Sequence, residues 1–136
     1  MAESLAVKYR PKDWDEVCGQ GSVMRILTRQ IELNELKNVY LFAGSSGCGK
    51  TTLARIFGNK INNNIGTLNE IDAASNNGVD NVKTIIKSAQ ERSIDSKYKI
   101  FIIAFKNNVY FNFSFFTILY SPIFIKTFFS VKVIII

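Results

Sequence analysis

A glycine-rich octet at residues 44–51, set between an apolar run and a helical stretch, constrains this 136-residue chain more than any other feature. With Thr52 it reads Gly-Ser-Ser-Gly-Cys-Gly-Lys-Thr-Thr and fills the pattern G-x-x-x-x-G-K-[ST]. The run Val39–Ala43 before it is typical of a buried strand, and the stretch Leu53–Phe57 after it is typical of a helix. Such a strand, turn and helix N-terminus gather several backbone N–H groups around one point, so the pattern predicts a cradle for phosphate groups.

Each group in this loop has an expected role in holding a nucleoside triphosphate. The glycines allow the backbone to curl without Cβ clashes. The Lys50 ammonium is expected to reach the β- and γ-phosphates, and the Thr51 hydroxyl to ligate Mg²⁺. A plain glycine turn is the alternative, which the complete octet and both flanks disfavour. The predicted binding residues of the loop are Gly44, Ser45, Ser46, Gly47, Cys48, Gly49, Lys50, Thr51 and Thr52.

Size and composition narrow the remaining choices. A chain of this length predicts one domain at most, and its formal net charge of +6 permits contact with DNA phosphates without requiring it. The two cysteines, Cys18 and Cys48, form no C-x-x-C pair and no zinc spacing, which favours a reducing cytoplasm. The first residues lack a charged segment followed by an apolar one, so no export signal is predicted.

The order of short apolar runs and amphipathic stretches predicts an α/β fold. Ser22 is expected to cap a helix, and Leu68–Ala73 and Lys99–Ile103 are expected to be strands. Between those strands, apolar residues at helical spacing from Val79 to Ala89 predict a further helix. Strands that alternate with helices in this way predict a parallel sheet with helices on both faces.

The composition changes abruptly near Ala104. No glycine follows Gly78, no acidic residue follows Asp95, and phenylalanine becomes frequent beyond Lys99. One interpretation is a membrane segment over Phe111–Ile125, although that run is shorter than the roughly 20 residues of a spanning helix. The other is a reading frame that is not the ancestral one, whether shifted or read through an intron, because AT-rich codons yield Phe, Ile, Lys, Asn and Tyr. We favour the second.

Three segments resemble one family, the γ/τ clamp-loader subunits of bacterial DNA polymerase III (DnaX, AAA+ ATPases). Residues 8–20, KYRPKDWDEVCGQ, are similar to the motif K-Y-R-P-x-x-F-x-[DE]-[VL]-x-G-Q at the family's amino terminus. The phosphate loop is the second segment, and residues 71–80, IDAASNNGVD, are the third. The resemblance implies that residues 1–103 are the amino-terminal portion of an AAA+ ATPase domain. Residues 104–136 are then a hydrophobic tail outside the family.

The resemblance also implies ligands for particular residues. Around the base and ribose it places Tyr9, Arg10, Pro11, Val17 and Gln20. On DNA in the centre of a ring it places the helix that follows the third segment, with Asn76, Asn77, Gly78 and Lys83, and Lys87 on the same helical face. The implied cofactors are ATP and Mg²⁺, and the implied partners are clamp-loader subunits, a sliding clamp and primer–template DNA. A solvated basic face is the alternative for the two lysines.

Two departures from the family limit the expected function. The four-cysteine zinc module of many members has no counterpart, so no zinc is expected. The strand Lys99–Ile103 is followed by Ala104-Phe105 where the family has Asp-Glu, so hydrolysis of ATP is not expected. The sequence therefore predicts an ATP-binding part of a clamp-loader subunit that loads clamps only when intact. A non-catalytic modulator that binds nucleotide or DNA, and a membrane-associated phosphate-loop protein, are the alternatives.

The same departure leaves a gap in the predicted sheet. In the family, a later strand separates the strand of the phosphate loop from the strand Lys99–Ile103. Without it both strands would expose unpaired edges, a hazard for aggregation. The run Val131–Ile136 is the candidate to fill the gap, although no local pattern specifies it.

Overall fold

A computed structural model of the protein describes residues 4–72, 84, 87–91, 93–104 and 131–136. In order, the elements are helix α1 (Leu5–Lys8), a short 3₁₀ helix (Trp14–Glu16), helix α2 (Gly21–Glu32), strand β1 (Val39–Leu41), helix α3 (Lys50–Ile61), and strands β2 (Leu68–Asp72), β3 (Lys99–Ala104) and β4 (Val131–Ile135). Strand β1, helix α3 and strand β2 follow one another in the predicted order.

The four strands form one parallel sheet in the order β1-β4-β3-β2. Strand β4 pairs with β1 through Tyr40 and Ile134, and with β3 through Ile102 and Ile134. The prediction that the run Val131–Ile136 fills the gap beside β1 is therefore confirmed. The predicted α/β class with a parallel sheet is confirmed as well.

Helix α3 packs across one face of the sheet and places its amino terminus beside β1. Phe57 is fully buried and meets the Tyr40 ring edge-on, with 4.8 Å between ring centroids. Gly58 faces Ile100 and Ile134, and a Cβ built on it would lie 2.9 Å from Leu68 Cδ2 and 3.2 Å from Ile100 Cγ2. The absence of a side chain at Gly58 therefore sets how closely the helix approaches the strands.

The central strand β3 is buried on both faces. Ile100 and Ile102 belong to the core cluster under α3, while Phe101 and Ile103, which point the opposite way, are each 1% exposed. A run of apolar residues with no alternation is what a strand covered on both sides requires. The prediction that residues 99–103 form a fully buried strand is confirmed.

The amino-terminal segment is fastened to the far end of α3. Lys60 Nζ lies 2.9 Å from Asp13 Oδ1, and Asp13 also accepts the backbone N–H of Trp14. The hydrogen bond from Lys60, followed by that from the Trp14 backbone, lowers the pKa of the Asp13 carboxyl. The ion pair therefore joins the segment that precedes α2 to the carboxyl-terminal end of α3.

Helix α2 begins two residues earlier than a cap at Ser22 would place it. The cap predicted at Ser22 is wrong: the helix begins at Gly21, and Gln20 occupies the N-cap position. Gly19 leads into the helix with φ 87°, a left-handed backbone conformation that residues with a side chain rarely adopt. The side chain of Gln20 makes no capping bond to its own helix.

Some predicted elements fall partly or wholly outside the described residues. The turn at Asn76–Gly78 and the run Phe111–Ile125 lie outside them, and the helix predicted over 79–89 is seen as helical only at residues 84 and 87–89. Within the described part of the chain, no helix has the length and apolar character needed to span a membrane.

Among the described residues, one charged side chain is buried in the core, and it lies on β4. Lys132 is 4% exposed, donates to Asn38 Oδ1 at 2.9 Å, and lies 4.9 Å from the centroid of the Tyr98 ring. Burial, and to a lesser degree the nearby Lys97, lowers the pKa of the Lys132 ammonium. The folded state therefore disfavours the ammonium more than the unfolded state does, so the stability of the fold depends on pH.

We expect Gly58→Ala to destabilise the protein, although alanine is the better helix former by about 1 kcal/mol. The added methyl group would push α3 off Leu68 and Ile100, and such overpacking costs about 1–3 kcal/mol. The free energy of unfolding from urea titration measures the effect. Gly21→Ala is the matched control, because a Cβ on Gly21 meets nothing within 4 Å. Equal stability of the two variants would contradict the close approach.

We expect Lys132→Met to raise the free energy of unfolding at pH 7 by about 1 kcal/mol, because the variant buries no ammonium. In the wild type, the free energy of unfolding rises as pH increases through the lowered folded pKa and levels off near the ordinary value of 10.5. The variant lacks that rise. Urea titrations between pH 7 and 10.5 measure both effects, with exposed Lys37→Met as control. A pH profile shared by wild type and Lys132→Met would contradict the assignment.

Candidate nucleotide-binding site

The phosphate loop connects β1 to α3 and curls through two left-handed glycines. Gly47 has φ 77° and Gly49 has φ 94°, conformations that a side chain would strain. Gly49 is the N-cap residue of α3. The unsatisfied N–H groups and the positive end of the helix dipole therefore begin where the loop ends, as anion binding requires.

The interior of the loop is tightly packed at one point. A Cβ on Gly44 would lie 2.8 Å from Cys48 Sγ, and the backbone N–H of Cys48 donates to Ser45 O at 3.4 Å. The Cys48 side chain thus occupies the space beside Gly44. A side chain at position 44 would displace that thiol and open the loop.

Lys50 is folded back onto the loop that precedes it. Its Nζ donates to Gly44 O at 2.7 Å and to Ser45 O at 2.8 Å. Phosphate oxygens are stronger acceptors for an ammonium than neutral carbonyls are, because both partners then carry charge. A triphosphate can therefore draw the ammonium away from the carbonyls without leaving it unsatisfied.

The loop opens into a cavity of about 880 Å³ that also contacts the amino-terminal segment and the carboxyl ends of three strands. Its described lining residues are Ala6, Tyr9, Arg10, Pro11, Leu41, Phe42, Ala43, Gly44, Ser46, Gly47, Gly49, Lys50, Thr51, Thr52, Ala104, Ile135 and Ile136. A cavity of this size accommodates a nucleotide. It lies at the edge of a parallel sheet where ligands of α/β proteins commonly bind.

Most of the predicted nucleotide-binding residues line this cavity together. From the loop they include all but Ser45 and Cys48, and from the amino-terminal segment they include Tyr9, Arg10 and Pro11. The Tyr9 side chain is 74% exposed, so its ring is available to a base. Val17 and Gln20 do not belong to the described lining.

Gln20 contacts the loop from outside the cavity lining. Its Nε2 donates to the carbonyl oxygen of Cys48 at 3.3 Å, across 28 positions of sequence. The sequence associated Gln20 with the base and ribose, whereas its observed contact is with the phosphate loop. No local pattern signals a bond between residues this far apart.

Most of the residues predicted to meet DNA lie outside the described part of the chain. Asn76, Asn77, Gly78 and Lys83 lie outside the described residues. Lys87 is described, and it is helical and exposed. The DNA contact remains a prediction from the family resemblance.

The charges around the cavity favour an anion. Arg10 and Lys50 supply two positive charges, and no acidic residue belongs to the described lining. Thr51 offers a hydroxyl to a cation, but Ala104 and Ile135 end their strands there without a carboxylate. Among the described residues, no group of three or more His, Cys, Asp or Glu side chains is placed to hold a metal ion. The described lining therefore does not by itself form a resident Mg²⁺ site.

Apart from Ala104, which stands at the family's acidic position, the strand ends are lining residues that the sequence did not predict. Leu41, Ala104, Ile135 and Ile136 line it because parallel strands end at a common edge. These residues could have been identified from the rule that the carboxyl ends of parallel strands meet at one edge of the sheet. Applying that rule to residues 135 and 136 required knowing that β4 lies next to β1.

Comparison with known proteins agrees with this geometry. Residues 40–105 match the family described as "ATPase family associated with various cellular activities (AAA)". The chain is 31% identical to DNA polymerase III subunit gamma/tau of Mycoplasma genitalium over 76% of its length, and 36% identical to replication factor C subunit 4 of Encephalitozoon cuniculi over 73%. The predicted resemblance to clamp-loader subunits is confirmed.

Solved structures show the same fold. The RuvB Holliday junction branch migration motor of Thermotoga maritima superposes with a TM-score of 0.65 at 22% identity, over 93% of this chain and 41% of that one. The chain spans 21% of the Mycoplasma subunit and 32% of the replication factor subunit. The matched region thus corresponds to a minor part of each relative.

Proposed function

We propose, from the match of residues 40–105 to the AAA family of ATPases, that the protein binds ATP at the loop Gly44–Thr52. The observation that carries the proposal is the shared cavity, which Lys50 lines together with Tyr9 and Arg10. The triphosphate lies against the loop and the amino terminus of α3, and the base lies toward Tyr9–Pro11.

The energetic basis of this binding is electrostatic at one end and apolar at the other. Backbone N–H groups of the loop and the Lys50 ammonium bind the phosphates in place of water. The Tyr9 ring and the Pro11 ring offer flat apolar surface to the base, and Arg10 adds a second positive charge. The phosphates therefore contribute most of the affinity for ATP.

We place the protein in DNA replication, as part of a clamp-loader subunit. Relatives named as subunits of DNA polymerase III and of replication factor C support that placement. The proposed partners are other clamp-loader subunits, a sliding clamp and primer–template DNA, and the proposed activity of the complete assembly is ATP-dependent loading of the clamp. A reducing cytoplasm is the proposed location, since Cys18 and Cys48 are free thiols.

Ala104 favours binding without hydrolysis. It ends β3 at the cavity, at the position where the resembled family carries the first of two acidic residues. Without a carboxylate there, the described lining lacks the acidic groups that support a metal ion and position a water molecule in phosphate-loop enzymes. This observation favours the second candidate function, a non-catalytic modulator that binds nucleotide and joins a clamp loader.

We expect Lys50→Ala to weaken ATP binding by about tenfold or more, because it removes a charge-assisted hydrogen bond to phosphate. Isothermal titration calorimetry with ATP measures the dissociation constants of the two proteins. Lys37→Ala is the matched control, since it removes the same charge from an exposed position near the opposite end of β1.

Unchanged ATP affinity in a folded Lys50→Ala variant would overturn the proposed site. Equal losses in Lys50→Ala and Lys37→Ala would instead show that the net charge of the protein, and not the loop, attracts the nucleotide.

We expect the wild type to bind ATP almost equally with Mg²⁺ and with EDTA, and Ala104→Asp to bind it about tenfold more tightly with Mg²⁺. The new carboxylate lies at the cavity that Thr51 also lines, so it completes an oxygen ligand set. Titrations of ATP under both conditions measure the ratio. Ala104→Asn is the control, because it has nearly the same shape and no charge.

A wild type whose ATP affinity depends strongly on Mg²⁺ would contradict this expectation. ATP hydrolysis by the wild type would contradict the non-catalytic role, and an assay for released phosphate measures it.

A further inference from the structure

The Gln20–Cys48 hydrogen bond joins the amino-terminal motif to the phosphate loop from the side away from the ligand. Gln20 Nε2 donates to Cys48 O at 3.3 Å. The Gln20 amide makes no capping bond to α2, although its residue stands at the N-cap position. Because the Gln20 side chain bonds the distant Cys48 and not its own helix, it connects the amino-terminal segment to the phosphate loop.

The geometry of the peptide bond gives this contact a consequence for the cavity. The described chain has no cis peptide bonds, so the Cys48 carbonyl and the Gly49 N–H point in opposite directions. Fixing the carbonyl toward Gln20 therefore turns the Gly49 N–H to the other side of the loop. Gly49 itself lines the cavity. Its left-handed backbone, with φ 94°, gives that peptide plane rotational freedom that an outside contact can restrict.

The second fixed point of the loop is not available once a ligand binds. Lys50 Nζ holds Gly44 O and Ser45 O in this structure. When the ammonium turns to the phosphates, those carbonyls lose their donor. The Gln20–Cys48 bond involves no atom of the cavity lining, so it can persist in the bound state.

We propose that Gln20 is a positioning residue for the phosphate loop, which aims the Gly49 N–H at the triphosphate through the Cys48 carbonyl. The inference rests on the proposed function, because it concerns how the same site binds phosphate. A donor already oriented before binding costs less conformational entropy at the moment of binding. Gln20 therefore contributes to affinity for any ligand with a suitable polyphosphate, whatever base the ligand carries.

The experiment compares ATP with inorganic tripolyphosphate, which has the phosphates and lacks the base. Isothermal titration calorimetry measures both ligands with the wild type, Gln20→Met, Gln20→Asn and Gln20→His. Methionine has a similar length and no donor, and asparagine is one methylene too short. The histidine imidazole places an N–H donor at about the reach of the glutamine amide.

We expect Gln20→Met and Gln20→Asn to weaken binding of both ligands by the same factor, about 3- to 10-fold, as for loss of one hydrogen bond. Gln20→His restores both affinities to near the wild-type values. Thermal unfolding midpoints identify any variant that does not fold. Gln20→Met, which lacks the donor, and Gln20→Asn, whose donor is too short to reach Cys48, provide independent readings.

Weaker ATP binding with unchanged tripolyphosphate binding would overturn the inference, because it would place Gln20 against the base. Unchanged affinity for both ligands, or failure of Gln20→His to restore binding, would also overturn it. A wild type that binds neither ligand would overturn the proposed function itself. Loss of binding in Lys50→Ala with no effect of Gln20→Met would sustain the proposed function and reject the positioning role alone.

Discussion

Strand β4 occupies the space between β1 and β3, and the position of the phosphate loop depends on that pairing. The hydrogen-bonded neighbour of β1 in the described sheet is β4, through Tyr40 and Ile134. The pairing of β1 with β4 continues one residue beyond β1, where Phe42 N donates to Ile135 O at 2.8 Å. A strand from the compositionally distinct tail thus holds the segment from which the loop departs.

Strand β4 also contains two buried residues with opposite effects on the stability of the core. Ile134 is fully buried under α3, close to Gly58, as an apolar core requires. Two residues earlier, Lys132 buries an ammonium on a strand that is otherwise apolar. Asn38 and the Tyr98 ring offset part of its lost hydration. Pairing and apolar burial stabilise β4, while one charge opposes them, which makes its place in the sheet sensitive to pH.

The candidate site has several groups suited to binding phosphate and few suited to catalysing hydrolysis. Lys50, the glycine turns and the amino terminus of α3 all favour an anion, and Arg10 adds to that preference. The strand ends that face them are Ala104 and Ile135, which can neither hold a metal ion nor transfer a proton. A site built in this way binds and retains a nucleotide. The carboxylates that hydrolysis requires in phosphate-loop enzymes are missing from the described lining.

Local sequence was sufficient for the phosphate loop, for helix α3 and for strand β3. The octet, the buried run Lys99–Ala104 and the helix Lys50–Ile61 each follow from residues that are neighbours in sequence, because turn geometry, capping and apolar periodicity are short-range effects. Gly47 and Gly49 were predictable for the same reason. The order of strands, the role of β4 and the reach of Gln20 to Cys48 depended on tertiary structure. Parallel pairing and long-range hydrogen bonds join residues that no local pattern relates, so they are decided when the whole sheet assembles.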